Sequence, residues 1–303
     1  MPLPDLTYSS YQTILYIWIA IAVITFIALL RITAPYGRHA VGNWGPRISN
    51  RLGWIIMELP VLLIVGWCAY DAADRQTMVT WIMIGLFCFH YINRIFVFPF
   101  RLHTKGKTMP LLIVCSAIFF NLMNGLSLGY YFNRFADYPQ DWHLDFRFII
   151  GLILFITGMV INWRADNFLI HLRKPGETHY VIPRGKLFNL ISCPNLGGEL
   201  LEWLGYAILC WNLPALTFFI WTAANLVPRA MSHHRWYKEK FEDYPQERKA
   251  IIPFVVYITI RLDILLTRWV RGFRKIYAQI VIPCERDDMK IRITFWILRA
   301  SVL

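Results

Sequence analysis

"GLFCFHYINRIFVFPF", Gly85–Phe100, opens like the second half of a membrane helix and then places His90, Tyr91, Asn93 and Arg94 within five positions. Hydrocarbon solvates none of these groups, so a helix that carries them must turn them toward a protein interior or a polar cavity. Whether the segment crosses a bilayer is decided by the chain around it. The 303 residues are 57% hydrophobic and 16% aromatic, too little polar material to cover a soluble globule.

Apolar stretches of the roughly 20 residues needed to cross a bilayer core lie at about 11–32, 52–70, 77–98, 109–131 and 146–170. After a polar interval, 198–232 holds two more, folded back at Asn212, Leu213 and Pro214. The expectation is an all-α integral membrane protein with seven transmembrane helices. The connections alternate in charge: Arg31, Arg38, Arg47 and Arg51 in one, Asp71 and Asp74 against Arg75 in the next, then Arg101, Lys105 and Lys107, then Asp137, Asp141 and Asp145. Because Lys and Arg gather on the cytoplasmic side, this places the N-terminus outside and the C-terminus in the cytosol. The first span is long enough to remain as an anchor, and no cleavable leader precedes it.

The net charge of +12 is read as cytosolic loops facing anionic lipid or an anionic ligand, which excludes nucleic acid as a partner for a membrane chain. The six cysteines show no Cys-x-x-Cys spacing, and neither disulfides nor a metal site is expected. Residues 1–257 form the membrane domain. Within it, the interval of about 173–198 holds Tyr180, Ile182, Phe188 and Ile191 among Pro and Gly and reads as a lid over the cytosolic mouth. Residues 258–303 are a basic extension with nine Lys or Arg, suited to the membrane surface.

The ionisable residues inside the spans are Glu58, His90, Arg94, Arg164, Asp166, Glu199, Glu202 and Arg229, joined by the amides Asn162 and Asn225. With the orientation above, all fall in the cytosolic half. A channel or carrier needs polar groups through both leaflets, whereas this distribution suits an enzyme or receptor open to the cytosol. Glu58 follows Arg51 by seven residues and Tyr91 precedes Phe98 by seven, so each lies about 10 Å from the cytosolic end of its helix. Pro99 is expected to end the third helix at Phe98. Asn162 and Asp166 share one helix face, as do Asn225, Arg229 and His233. Taken alone, an intramembrane Tyr serves as readily for packing; Glu58 has fewer structural explanations. His90 points about 100° away from Tyr91 and reads as a structural hydrogen-bonding group.

"MELP" at Glu58, "FCFHYINRIFVF" around Tyr91, "LRKPGETHYVIPRGKLF", "SCPNLGGELLEWLGYA" and "PRAMSHHRWYKEKFEDYPQERKAIIPF" occur in this order, and the chain resembles the steroid 5α-reductase family from about Tyr36 to Phe254. The resemblance implies an NADPH-dependent membrane enzyme that reduces a Δ4-3-ketosteroid by hydride transfer to C5. Glu58 and Tyr91 match the pair that polarises the C3 carbonyl. Cofactor-binding positions carry over to Asn162, Asp166, Arg173, Asn195, Glu199, Arg229, His233 and Tyr237, and also to Arg94, Lys107, Tyr36 and Arg38. The tail after about Tyr257 exceeds the usual family end. No Gly-x-Gly-x-x-Gly follows a strand and no Walker pattern is present, so basic side chains and helix ends must hold the nucleotide. A steroid and the bilayer are the implied partners, and no obligate protein partner is implied. The competing readings are an S-adenosylmethionine-dependent methyltransferase of the isoprenylcysteine type and a non-enzymatic sterol sensor.

Overall fold

The computed structural model describes residues 3–39, 44–103, 106–172 and 180–251. The basic extension at 258–303, Arg173 and the first part of the expected lid lie outside these residues. Apart from its connections, the described chain is helical, with one short antiparallel strand pair brought together from distant parts of the chain, β1 (Arg47–Ser49) and β2 (Thr108–Pro110), and a single bridge between Ile191 and Lys249. Five helices are long and apolar enough to cross a membrane: α1 (Tyr8–Arg31), α2 (Asn50–Asp71), α3 (Met78–Arg101), α4 (Leu111–Arg134) and α5 (Phe146–His171). Two more follow, α6 (Pro194–Cys210) and α7 (Leu213–Lys240). α6 has only 17 residues, and α7 continues into a polar, basic end, so neither has the length and composition of the other five.

The ends of these helices follow from local chemistry. Thr7, Thr77, Asp145 and Asn212 each accept a hydrogen bond from a backbone N–H in the first turn of the helix that follows. The α6–α7 reversal is tighter than expected, because Trp211 takes the left-handed conformation at φ 46° and Asn212 caps the next helix. α1 begins three residues earlier than its apolar run, where Thr7 supplies the cap.

α3 departs from the expected end at Phe98. Residues Asn93–Val97 form a π-turn, and the helix then continues through Pro99 to Arg101. A proline ring ordinarily collides with the carbonyl four residues back. Here the Phe98 N–H donates to the Asn93 carbonyl, five residues back, and the widened turn makes room for Pro99.

Two helix pairs make the closest contacts. In α5 and α6, Gly151 and Gly158 face Gly205 and Gly198, spaced by the same seven residues. A Cβ on Gly151 would strike the Leu209 nitrogen and the Gly205 carbonyl; one on Gly158 would strike the Glu202 nitrogen and the Gly198 carbonyl. The two backbones are therefore in direct contact, as small residues permit between membrane helices. α2 and α4 pack in a similar way where Gly125 meets Val61 and Gly129 meets Cys68. Between these pairs lies the main core of Phe87, Tyr91, Phe155, Trp203, Tyr206 and Phe218.

Candidate active site

At one end of the helices, Arg51 Nε donates to the Pro99 carbonyl at 3.2 Å, which ties the first turn of α2 to the last turn of α3. Glu58 lies seven residues along α2 from that tie and Tyr91 eight residues back along α3. At 1.5 Å per residue these are depths of about 10 and 12 Å. The acid and the phenol therefore stand at one level on neighbouring antiparallel helices. They interact electrostatically with each other and with Arg94.

Each side chain of this pair is held by a neighbour. Asn121 on α4 donates to the Met57 carbonyl at 2.6 Å and to Glu58 Oε2 at 3.2 Å, fixing the carboxyl just before Pro60 removes a backbone donor from α2. The Tyr91 ring is buried and packs on Phe87 at 4.8 Å and on Trp203 at 6.1 Å between centroids. Arg94, inside the π-turn, lies over Trp54 and Phe98 at 4.7 and 4.8 Å. Its acidic neighbours are Glu199, Glu58 and Asp166, so one guanidinium faces acids from three helices.

The glycine contact brings α5 and α6 close enough for their polar faces to bond. Asn162 donates to the Asn195 carbonyl at 2.9 Å and to Glu199 Oε2 at 3.4 Å, and Asn195 donates to Asp166 Oδ1 at 2.9 Å. This gathers four of the expected cofactor residues into one cluster beside Arg94.

A second cluster forms where the chain leaving α1 meets the end of α7. Arg229 donates to the carbonyls of Ala34 and Tyr36 at 2.9 and 2.8 Å, and its guanidinium lies 3.7 Å from the Tyr36 ring centroid. Gly37, at φ 62°, makes the turn that wraps this strand around Arg229. Arg38 lies among the rings of Tyr180, Trp236 and Tyr237, at 5.3, 5.1 and 4.7 Å. His39 Nε2 and His233 Nδ1 are 2.9 Å apart with their rings stacked. Burial, with Arg229, Arg38 and Arg235 nearby, pushes the His39 imidazole down to about 4, so it is neutral at physiological pH. Among the described residues, no ion pair joins Arg38 or Arg229 to a carboxylate, and the buried Arg38 Nη1 has no hydrogen-bond partner.

Of the interval expected to form a lid, the described part begins at Tyr180. From Tyr180 to Cys193 the chain runs back along the end of α7, burying Phe188 and Ile191, and Tyr180 packs edge-on against Trp236. Ser192 Oγ is bonded with His234 Nδ1 and Tyr244 OH and donates to the Lys249 carbonyl. The last part of the expected loop, from Pro194, is already helix.

Some residues stand apart from both clusters. Lys107 is exposed beside the strand pair at the start of α2, with its carbonyl accepting from Asn50 N–H. Asn225 bonds back to Trp221 on its own helix, and Arg164 is exposed. Two residues outside the expected site line it from behind. Asn121 bonds across to α2 and holds Glu58, and Glu202 accepts from buried His90 at 2.8 Å. In both cases the signal was a polar group at a helix position otherwise lined by apolar residues.

Together these features define a membrane-embedded, all-α protein with a deep acid–phenol pair and a cationic cluster at one end of its helices. The 3-oxo-5-alpha-steroid 4-dehydrogenase family model matches residues 107–256. A steroid 5-alpha-reductase DET2 from Gossypium hirsutum is 41% identical over 240 residues, covering 78% of this chain and 93% of that protein. The 3-oxo-5-alpha-steroid 4-dehydrogenase 1 of Bos taurus is 41% identical over 245 residues, covering 80% and 95%. The 3-oxo-5-alpha-steroid 4-dehydrogenase 2 of Sus scrofa is 43% identical over 210 residues, covering 69% and 82%. The chain belongs to the steroid 5α-reductase family and is an integral membrane protein.

Proposed function

We propose that this chain is an NADPH-dependent reductase of the Δ4 double bond of a 3-ketosteroid, acting in a pocket open to the cytosol. The observation that carries the reading is the Arg51–Pro99 tie, which sets Glu58 and Tyr91 at one depth, next to Arg94. The membrane arrangement that goes with it has seven spans, the N-terminus outside and the C-terminus cytosolic. In that arrangement the end of the helices holding Arg38 and Arg229 faces the cytosolic cofactor supply. Residues 1–257 serve as one catalytic domain.

The residues present suit a dinucleotide. Arg38 and Arg229 have no carboxylate partners among the described residues, and one Arg38 nitrogen is buried and unpaired, which fits phosphate groups including a 2′-phosphate. Tyr36, His233 and Tyr237 wall the same cluster. Asn162, Asp166, Asn195 and Glu199 offer the mixed donors and acceptors that a carboxamide and ribose hydroxyls need. Arg94 links the Asp166 and Glu199 cluster to the Glu58–Tyr91 pair, and Lys107 and Arg173 are assigned a supporting cationic role from the family pattern. Bound there, the reduced nicotinamide supplies a hydride to steroid C5.

Hydride addition moves negative charge onto the C3 oxygen as an enolate forms, and a proton at C4 completes the product. The phenol of Tyr91 donates a hydrogen bond to that oxygen, and the Glu58 carboxyl, steadied by Asn121, polarises it from the neighbouring helix. In a site without water, donors fixed before the reaction lower the barrier by several kcal/mol, and losing one costs about 10²–10³ in rate. The apolar wall of Phe87, Trp203 and Phe218 matches the fused rings of a steroid arriving from the bilayer.

The family assignment does not favour methyl transfer or a sensor. Purified protein in detergent with NADPH and testosterone or progesterone is expected to yield the 5α-reduced steroid, identified by mass. With NADPH carrying deuterium on its transferable position, the label appears at C5. Stabilisation by S-adenosylmethionine and not by NADPH, or steroid binding without NADPH consumption, would overturn the reading. Glu58→Gln and Tyr91→Phe are each expected to lower kcat at least about 100-fold while the NADPH-induced thermal shift is kept.

A further inference from the structure

His90 is adjacent to Tyr91 but faces another helix, and it is among the most buried polar residues described, 2% exposed. Its Nδ1 is 2.8 Å from Oε1 of Glu202, which is 0% exposed. The second Glu202 oxygen, Oε2, has no hydrogen-bond partner among the described residues. Two charged or polar groups taken so far from solvent are costly, and apolar residues of similar volume commonly pack as well or better. Stability alone therefore gives a weak reason for this pair.

Its surroundings supply a stronger one. Trp203, the residue after Glu202, packs its ring 4.6 Å from the His90 ring and 6.1 Å from the Tyr91 ring. Phe87, one turn before Tyr91, contacts both Tyr91 at 4.8 Å and Trp203 at 5.5 Å. The bond between His90 and Glu202 thus joins α3 and α6 at the level where their side chains enclose the phenol. The other polar link in this seam runs from Tyr206 OH to the Met83 carbonyl at 3.2 Å, about two turns away along α3.

The π-turn makes this link matter. It begins at Asn93, two residues past Tyr91, and the extra residue it holds offsets the helix beyond it by about 100° relative to an unbroken α-helix. Arg51 holds the part of α3 beyond the turn, at Pro99. The part before the turn needs its own fixed point, because the π-turn interrupts the regular i→i−4 ladder that would otherwise carry the register across. His90 is the polar group on that part, closest to Tyr91, that bonds to another helix.

We propose that the buried His90–Glu202 pair is a positioning device for Tyr91, fixing the rotation of α3 so that the phenol meets the steroid carbonyl oxygen. The pair does not touch substrate. It acts through Tyr91, so this inference rests on the assignment of Tyr91 as the donor proposed above. A reacting group displaced by about 1 Å loses about 10²-fold in rate, which sets the scale of the effect.

The test is a mutant cycle on the full chain in detergent, with NADPH consumption and conversion of tritiated testosterone measured together. His90→Phe is expected to lower kcat about 10- to 100-fold, with KM for NADPH and steroid within about threefold. His90→Asn, whose amide can reach Glu202 much as Nδ1 does, is expected to restore kcat to within about threefold of the parent. Adding His90→Phe to Tyr91→Phe is expected to cost less than about twofold more, because the group being positioned is already gone. Glu202→Met carries the same expectation as His90→Phe and serves if that ring does not fit. An equal loss in the Tyr91 and Tyr91→Phe backgrounds would mean a purely structural pair, and an unchanged kcat in His90→Phe and Glu202→Met would remove the inference outright. Full activity in Tyr91→Phe alone would instead defeat the polarising pair, so the two failures are distinguishable.

Discussion

Replacing Gly158 by Ala should damage the α5–α6 contact and the polar Asn162–Asn195–Asp166 cluster beside it at once. The new methyl group would lie 2.5 Å from the Gly198 carbonyl oxygen and in conflict with the Glu202 nitrogen, whereas ordinary contact begins near 3.4 Å. Both obstacles are backbone, so neither can rotate away, and the helices must part by about 1 Å. One turn further on, the Asn162–Asn195 and Asn195–Asp166 bonds, both 2.9 Å, would open beyond hydrogen-bond length. Overpacking costs about 1–3 kcal/mol, and each of the two lost bonds about 0.5–1.5 kcal/mol, for a total near 2–6 kcal/mol. The assay is thermal unfolding in detergent with and without NADPH, with Gly66→Ala as control because nothing lies within 4 Å of a Cβ there. Gly158→Ala should unfold at clearly lower temperature and bind NADPH at least about tenfold more weakly; Gly66→Ala should match or exceed the parent. If both variants unfold together with the parent, the backbones are not in contact as described.

Arg229→Ala removes the group bonded to the Ala34 and Tyr36 carbonyls and leaves the turn at Gly37 unsupported. It should raise KM for NADPH about tenfold or more with kcat changed much less, and an unchanged KM would exclude this cluster from cofactor binding. His39 is held at about 4 against an ordinary value of 6.5. The unfolded chain therefore takes up a proton between pH 6.5 and 4 while the folded chain does not. Stability contributed by neutral His39 is complete above pH 6.5 and is lost as pH falls toward 4. His39→Gln should flatten the melting temperature against pH in that window, and an unaltered slope would show that His39 titrates normally.

Much of this protein was legible along the chain. Apolar runs separated by turns located the helices, because the bilayer core sets their length and the backbone must satisfy its own hydrogen bonds there. Glu58, Asp166 and Glu199 stood out because an ionisable residue in such a run is expensive, whereas Tyr91, which serves as readily for packing, stood out only through the motif around it. Equal counts from the helix ends even gave Glu58 and Tyr91 one depth, since helical rise is constant. Family motifs added the role proposed for each group.

Tertiary structure decided the rest, for reasons no local pattern holds. Whether Pro99 ends a helix or passes through it depends on the π-turn before it, and a sequence period of 3.6 does not register one inserted residue. Gly151, Gly158, Gly198 and Gly205 look permissive singly and acquire meaning only as two facing pairs. The hydrogen bond expected of His90 is present, but its partner Glu202 lies 112 positions away, and burial of both groups is a property of α3 against α6. The sequence by itself determined which residues could not be left in lipid; packing determined which of them meet, because only the folded helices fix the distances between side chains remote along the chain.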